Sequence, residues 1–340
     1  MRQLNKTKKK GIFKKLFVKL SRLLGYELID QADMSFVTSN NLKNPSISGK
    51  KSITLPLGEV KISRKVQSFD VILKTCTSVN LVSQNKKRIF EQPKSEYTMR
   101  TINSFIKSIK KASEDKSNIS FNITIIDTGS PKEDIATIEN ILNNSQLRFN
   151  VICLNLNEYS QRVKVIKRNN SQIENNMKST MASIIKSFEL SKDLDDLVYF
   201  VEDDYIHEDE SVSEMISAYE KFSTILKNEI FIIPVDYPYL YQKNQSTNVL
   251  IGQKNHWRSV KESLLTFLTS KKMINKYHGD LIKMGEVEHE PYETILHSIY
   301  DKENCFSPIP SLALHCTNVN SVFGLSPNIN AKELWEKNKS

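Results

Sequence analysis

The sequence predicts an α/β fold, a mainly parallel sheet with helices on both faces, and three observations predict it. Short apolar runs rich in β-branched and aromatic residues recur, segments with apolar residues at helical spacing lie between them, and the separations suit strand–helix–strand units. The first run, residues 69–75, holds Phe69, Val71, Ile72 and Leu73. A helix is expected over residues 97–112, where Ile102, Phe105, Ile106 and Ile109 share one face. A second strand, residues 121–127, runs into the turn Thr128-Gly129-Ser130-Pro131, and a helix through Leu142 follows. Residues 149–154 read as a third strand and 174–190 as a helix. The run Leu197-Val198-Tyr199-Phe200-Val201 then meets Glu202-Asp203-Asp204, with a helix over 210–226 and a strand over 230–235 beyond it. Past Val235 the pattern is irregular and aromatic. It resumes with a strand-like run at 263–268, a helix near 271–277, a helix opening at 286–291 and running to Tyr300, and a closing run at 308–315.

A chain of 340 residues buries a large core, and 39% hydrophobic with 26% charged residues is ordinary for a globular protein. Only nine glycines exclude collagen-like, linker-dominated and Gly-rich phosphate-loop designs. Cys76, Cys153, Cys305 and Cys316 lie far apart with no CxxC pair, so neither a zinc knuckle nor a disulfide framework is expected, and a reducing cytosol is the natural compartment. The net charge of +9 belongs to one end. Nine basic residues and no acid occupy residues 1–26, and the remaining basic residues equal the 39 acids in number. A nucleic-acid partner is therefore not expected. Within that end, Ile12, Phe13, Leu16, Phe17, Leu20, Leu23 and Leu24 recur at helical spacing between Lys14, Lys15, Lys19 and Arg22. This basic amphipathic helix is too short and too charged to span a bilayer and lacks the apolar core of a secretory signal. Residues 12–24 are expected to lie on an anionic membrane surface, packing on the chain's own body or a partner being the alternative.

In parallel sheets ligands sit at the carboxyl ends of the strands, which places Thr75, Asp127 and Glu202-Asp203-Asp204 on one rim. Three adjacent carboxylates repel one another unless a cation lies among them, and hard oxygen ligands suit Mg2+ or Mn2+. The other reading is a solvated acidic turn opening the next helix, since Glu208, Asp209 and Glu210 follow.

This order of parts resembles the nucleotide-sugar-dependent glycosyltransferases of the GT-A fold, closest in layout to glycosyltransferase family 2, over residues 69–316. The likeness rests on the turn Ile126-Asp127-Thr128-Gly129-Ser130 and the acidic Glu202-Asp203-Asp204. Two positions depart from the family's pattern: Ile126 replaces the first of its paired aspartates, and the acidic motif begins with Glu202. The resemblance implies that Asp127 reads the donor base beside Thr75, that Asp203 lies near the donor ribose or metal, and that Asp204 holds a Mn2+ or Mg2+ bridging the diphosphate. Glu202 joins that metal set, and Leu314-His315 looks like the family's strand-terminal histidine that completes it. The segment Glu288-His289-Glu290-Pro291-Tyr292-Glu293 matches the acidic helix start that carries the catalytic base, with Glu290 the choice and Glu288 and Glu293 left open.

Asp236, Tyr237, Trp257 and Arg258 would line the acceptor side, aromatic faces suiting sugar rings; core or loop packing is the alternative. The implied organisation is a basic helix at 1–30, a linker or arm at 31–68, a transferase domain at 69–320 and a tail at 321–340. Within the domain, residues 69–205 would bind the donor and 206–320 the acceptor. The implied partners are a nucleoside-diphosphate sugar, UDP first, and a saccharide or lipid-linked acceptor in surface polysaccharide synthesis, met at the cytoplasmic face of the cell membrane. Two other readings stand beside it, a metal-dependent nucleotidyl or phosphoryl transfer enzyme and a non-catalytic scaffold. Against phosphoryl transfer, no GxxxxGK[ST] loop occurs and no basic cluster is evident near the acidic strand.

Overall fold

A computed structural model describes residues 12–26, 52–55, 58–78, 89–241, 246–289, 291–316 and 325–339. The chain forms two compact units, residues 1–61 and 62–340. In the first, α1 (Ile12–Leu23) has the expected amphipathic pattern, with Phe13 91% and Leu23 79% exposed. A hairpin, β1 (Ser52–Leu55) against β2 (Gly58–Lys61), falls where a linker was expected. Four-residue strands in a polar context leave no periodicity to detect.

The second unit carries the expected alternation. It runs β3 (Ser68–Thr75), α2 (Lys94–Asp115), β4 (Ser120–Asp127), α3 (Lys132–Ser145), β5 (Arg148–Cys153), α4 (Ser171–Ser191) and β6 (Leu197–Glu202). Then follow β7 (Tyr205–His207), α5 (Ser211–Leu226), β8 (Phe231–Ile232), β9 (Val249–Ile251), β10 (His256–Val260), β11 (Phe267–Ser270) and α6 (Lys271–Glu286). The chain ends with α7 (Thr294–Tyr300), β12 (Cys305–Ile309), β13 (Ala313–His315) and α8 (Ala331–Lys337).

Nine strands form one sheet in the order β5-β4-β3-β6-β11-β8-β12-β10-β9. Tracing the pairings, seven strands run the same way and only β10 and β11 oppose them. The mainly parallel expectation holds. The unbroken apolar stretches of β3 and β6 follow from burial on both faces: α2 packs with α3 and α5, and α4 packs with α6. Gly285 allows the second of these pairs to approach, because a Cβ there would stand 2.5 Å from the Met181 carbonyl oxygen.

One stretch expected to be irregular is ordered: His256-Trp257-Arg258 lies within β10. The closing run contributes β13, which pairs with β7 in a separate two-stranded sheet. His207, which follows the acidic triplet closely, faces the core: its Nε2 lies 2.8 Å from the Tyr199 hydroxyl, and burial pushes its pKa down to about 3. The expected tail contains α8, whose Trp335 stacks on Phe90 at 4.2 Å while the Arg100 guanidinium lies 4.0 Å from its ring centre.

Candidate active site

The register of the parallel strands assembles the rim. Thr75 pairs with Asp127 across β3 and β4, and Lys74 pairs with Glu202 across β3 and β6, so three strands end side by side. Between them and α4 lies a cavity of about 100 Å³, lined by Lys74, Thr75, Cys76, Lys94, Thr128, Asn176, Ser179, Thr180, Ser183, Glu202 and Asp203.

Asp127 is committed to the turn rather than to the cavity. Its Oδ1 accepts from the Thr75 hydroxyl at 2.9 Å and from the Ser130 hydroxyl, and its Oδ2 accepts from the backbone N–H of Gly129 and Ser130, both at 2.9 Å. A carboxylate has about four acceptor positions and these fill them, so Asp127 shapes the strand end instead of presenting an open oxygen to a base. Gly129, at φ 113°, is the residue the turn requires. Thr75 holds the neighbouring loop through its carbonyl, which accepts from Thr128 N–H at 3.0 Å.

The acidic triplet divides three ways. Glu202 faces Lys74, Oε1 to Nζ 3.7 Å. Asp203 is buried, its Oδ1 2.9 Å from Lys94 Nζ, while its Oδ2 accepts from the Thr98 hydroxyl at 2.9 Å and the Cys76 N–H at 3.3 Å. Burial lowers the Lys94 pKa, but Asp203 and then Asp204 outweigh it, and the net shift is upward, so this interior lysine keeps its charge. Asp204 approaches His315, Oδ2 to Nε2 3.5 Å, while its carbonyl accepts from Cys316 N–H at 2.9 Å. The imidazole of His315 lies flat on Tyr205 at 4.5 Å, and the Tyr205 hydroxyl is 2.7 Å from that of Tyr237. Its Nδ1 is buried with no hydrogen-bond partner among the described residues.

Among the described residues no three His, Cys, Asp or Glu side chains converge on one point. The expected set of Glu202, Asp204 and His315 therefore reduces to the Asp204–His315 pair, because Glu202 is drawn to a lysine. Mg2+ is bound through one or two carboxylates with substrate phosphates completing the shell, and of this pair Asp204 alone supplies a carboxylate.

On the acceptor side, Tyr237 and Trp257 are 0% exposed and offer no face to a sugar. Tyr237 supports Tyr205 beneath His315, and Trp257 Nε1 donates to Glu214 Oε1 at 3.1 Å. Asp236 and Arg258 are also buried and pair with each other at 2.6 Å, with Arg258 lying 4.0 Å over the Tyr241 ring. Burial raises the Asp236 pKa against the lowering effects of Tyr241 and Arg258. These four residues hold the core and its edge together.

Of the candidate bases, Glu290 lies outside the described residues. Glu288 is bound by Arg168 and by the Ile166 N–H at 2.7 Å, and the Arg168 hydrogen bond lowers its pKa despite burial, which makes it a weak base. Glu293 sits at the N-terminal end of α7.

Sequence reading missed Lys74, Lys94 and the polar face of α4. The α4 face left a trace, Asn176, Ser179, Thr180 and Ser183 at helical spacing along α4. The lysines also overturn the expectation that basic residues are absent from the acidic strand's surroundings.

No protein-family model matches the chain, and no curated protein matches it in sequence. Solved structures resemble it in shape. A galactosyltransferase LgtC in complex with donor and acceptor sugar analogs has TM-score 0.34 and 11% identity over 68% of this chain and 70% of that one. TarS 1-349 of S. aureus has TM-score 0.40 and 11% identity over 71% and 57%. A UDP-glucose pyrophosphorylase complexed with UDP-glucose has 0.38 and 8% over 80% and 97%. At these scores the likenesses carry no inference about chemistry. On its own strand order, with parallel strands β5-β4-β3-β6 ending at one polar rim and the reversed β11 beside them, the domain is an α/β fold with a mainly parallel sheet flanked by helices.

Proposed function

We propose that this chain transfers a sugar from a nucleoside diphosphate, UDP first among candidates, to a saccharide or lipid-linked acceptor. The observation that carries the reading is the polar cavity at the carboxyl ends of β3, β4 and β6, where two lysines and two carboxylates sit at one strand rim. A divalent cation held by Asp204 and His315 would offset the charge that develops on the departing phosphate. His315 is preset for this by its stack on Tyr205, which fixes the ring, and the backbone bond from Cys316 to Asp204 fixes the carboxylate's origin. Inversion at the anomeric carbon, with Glu290 or Glu293 as the base that takes the acceptor proton, belongs to the same proposal.

The test is calorimetric titration of UDP, GDP and CDP with Mn2+ and then with EDTA. Binding of one of them, strengthened by the metal, is expected; no binding of any of the three would sink the reading. Lys74 and Lys94 also favour a second reading, nucleotidyl transfer, because fixed ammonium groups serve a phosphate centre. Products separate the two: sugar transfer releases the nucleoside diphosphate, whereas pyrophosphorolysis of the donor yields a nucleoside triphosphate and a sugar 1-phosphate.

The acceptor's lipid tether and a site at the cytoplasmic face are proposed from α1. Leu16, Phe17 and Leu20 are 67%, 63% and 55% exposed, and the helix carries basic residues and no acid. Among the described residues no helix is long and apolar enough to cross a membrane. Such a helix lies in the headgroup plane of an anionic bilayer, where it raises the local concentration of a lipid-linked acceptor. The full chain is expected to sediment with phosphatidylserine vesicles, to release in high salt, and to lose binding in Leu16→Glu/Phe17→Glu. Equal binding to neutral vesicles, or none to anionic ones, would count against it.

A further inference from the structure

We infer that Lys74 and Lys94 are a direct phosphate-binding pair, held in readiness by Glu202 and Asp203 as resident counter-ions. This rests on the transferase reading for the identity of the ligand but not for the anion chemistry. Lys94 opens the 22-residue α2, following Pro93, which provides no side-chain cap. A cation there opposes the positive end of the helix dipole, an arrangement that needs a compensating anion. Asp203 is that anion at rest.

The carboxylate positions the lysine, because Asp203 is itself anchored twice from its other oxygen, by the Thr98 hydroxyl one turn along α2 and by the Cys76 N–H at the end of β3. The ammonium is therefore held at the cavity wall with its charge intact. Lys74 is held more loosely. At 3.7 Å its contact with Glu202 is an ion pair without a hydrogen bond, and the Glu202 side chain is 30% exposed. An entering phosphate can draw Lys74 away while solvent takes over Glu202.

The remaining lining supports an anion. Ser179 is only 6% exposed and lines the cavity. Asn176 Oδ1 accepts from Gln172 Nε2 at 3.0 Å, and its N–H2 takes no part in that bond. Two ammonium groups, one hydroxyl and one amide N–H2 around a space of this size suit a phosphate group, and the carboxylates keep the cavity neutral until it arrives.

The pair makes phosphate binding partly independent of a divalent cation, which is the property to measure. Pyrophosphate, uridine and UDP are titrated into the full chain in EDTA, for the wild type, Lys94→Met and Lys74→Gln. The wild type is expected to bind pyrophosphate and UDP but not uridine, and each substitution to weaken both phosphate ligands at least tenfold. Lys74→Gln guards against a folding failure of Lys94→Met, since Glu202 is already partly solvated. Unchanged pyrophosphate affinity in a folded Lys74→Gln, or no pyrophosphate binding by the wild type, would overturn the pair. Pyrophosphate binding that depends on the lysines while UDP binds no tighter would uphold the pair and sink the nucleotide-sugar reading instead.

Discussion

Asp204→Ala is expected to lower nucleotide-sugar turnover about a thousandfold, the loss typical when one preorganised stabiliser of developing charge is removed. The substitution deletes the carboxylate that approaches His315 but keeps the backbone carbonyl that accepts from Cys316 N–H. The fold should therefore stay intact, with melting shifted by only a degree or two (~0.5 kcal/mol). Because Asp204 and His315 would act through one cation, His315→Ala should cost a similar amount and the double substitution little more than either alone. The measurement is initial rate of nucleoside diphosphate release in Mn2+ for the four proteins. Turnover of Asp204→Ala within threefold of the wild type would remove this pair from the chemistry and return the acidic turn to a purely structural role.

The largest stability loss is expected at Glu214, far from that pair. This buried residue on α5 accepts from the N–H groups of Gln253 and Lys254, both at 2.9 Å, from that of Asn255 at 3.3 Å, and from Trp257 Nε1 at 3.1 Å. One carboxylate thus organises the whole connection from β9 to β10. Glu214→Ala would take this acceptor from the buried Trp257 Nε1 and from three backbone N–H groups of a half-buried to exposed turn, a cost of about 3 kcal/mol. Melting should fall by roughly 10 °C. Glu214→Gln keeps the oxygen that can serve Gln253 and Trp257 and should lose about half as much. Gly252 belongs to the same arrangement, since a Cβ there would lie 2.3 Å from Glu214 Oε1. Thermal denaturation of the two variants side by side decides the matter; equal stability of Glu214→Ala and wild type would mean that the connection is held by other contacts.

The alternation of β3, α2, β4, α3, β5, α4 and β6 was legible because parallel strands buried on both faces must be continuously apolar and their helices one-sided. The convergence of Thr75, Asp127 and the acidic triplet followed from chain direction alone. What could not be read was which neighbour each carboxylate would find. Asp203 meets Lys94, and Glu288 meets Arg168, over more than a hundred residues of sequence, and no local period records such a partner. Trp257 and Tyr237 were assigned to an acceptor surface because an aromatic cluster in an irregular stretch looks alike whether it faces solvent or core. The three-residue β7 was invisible for want of length, and with it the pairing to β13 that brings His315 opposite Tyr205.

The end of the chain is joined to this rim. Trp335 on α8 is held between Phe90, Tyr97 and the Arg100 guanidinium, and Phe90 stands only a few residues ahead of the lysine that opens α2. Arg100 Nε also donates to the Trp335 carbonyl at 3.2 Å. Packing on Phe90, Tyr97 and Arg100 ties α8 to the start of α2, and whatever coupling free energy a ligand at that helix start gains through this clasp is returned, by linkage, to the retention of α8. Slower amide exchange in α8 when the rim is filled is the expected outcome, and unchanged exchange would show that the clasp transmits nothing.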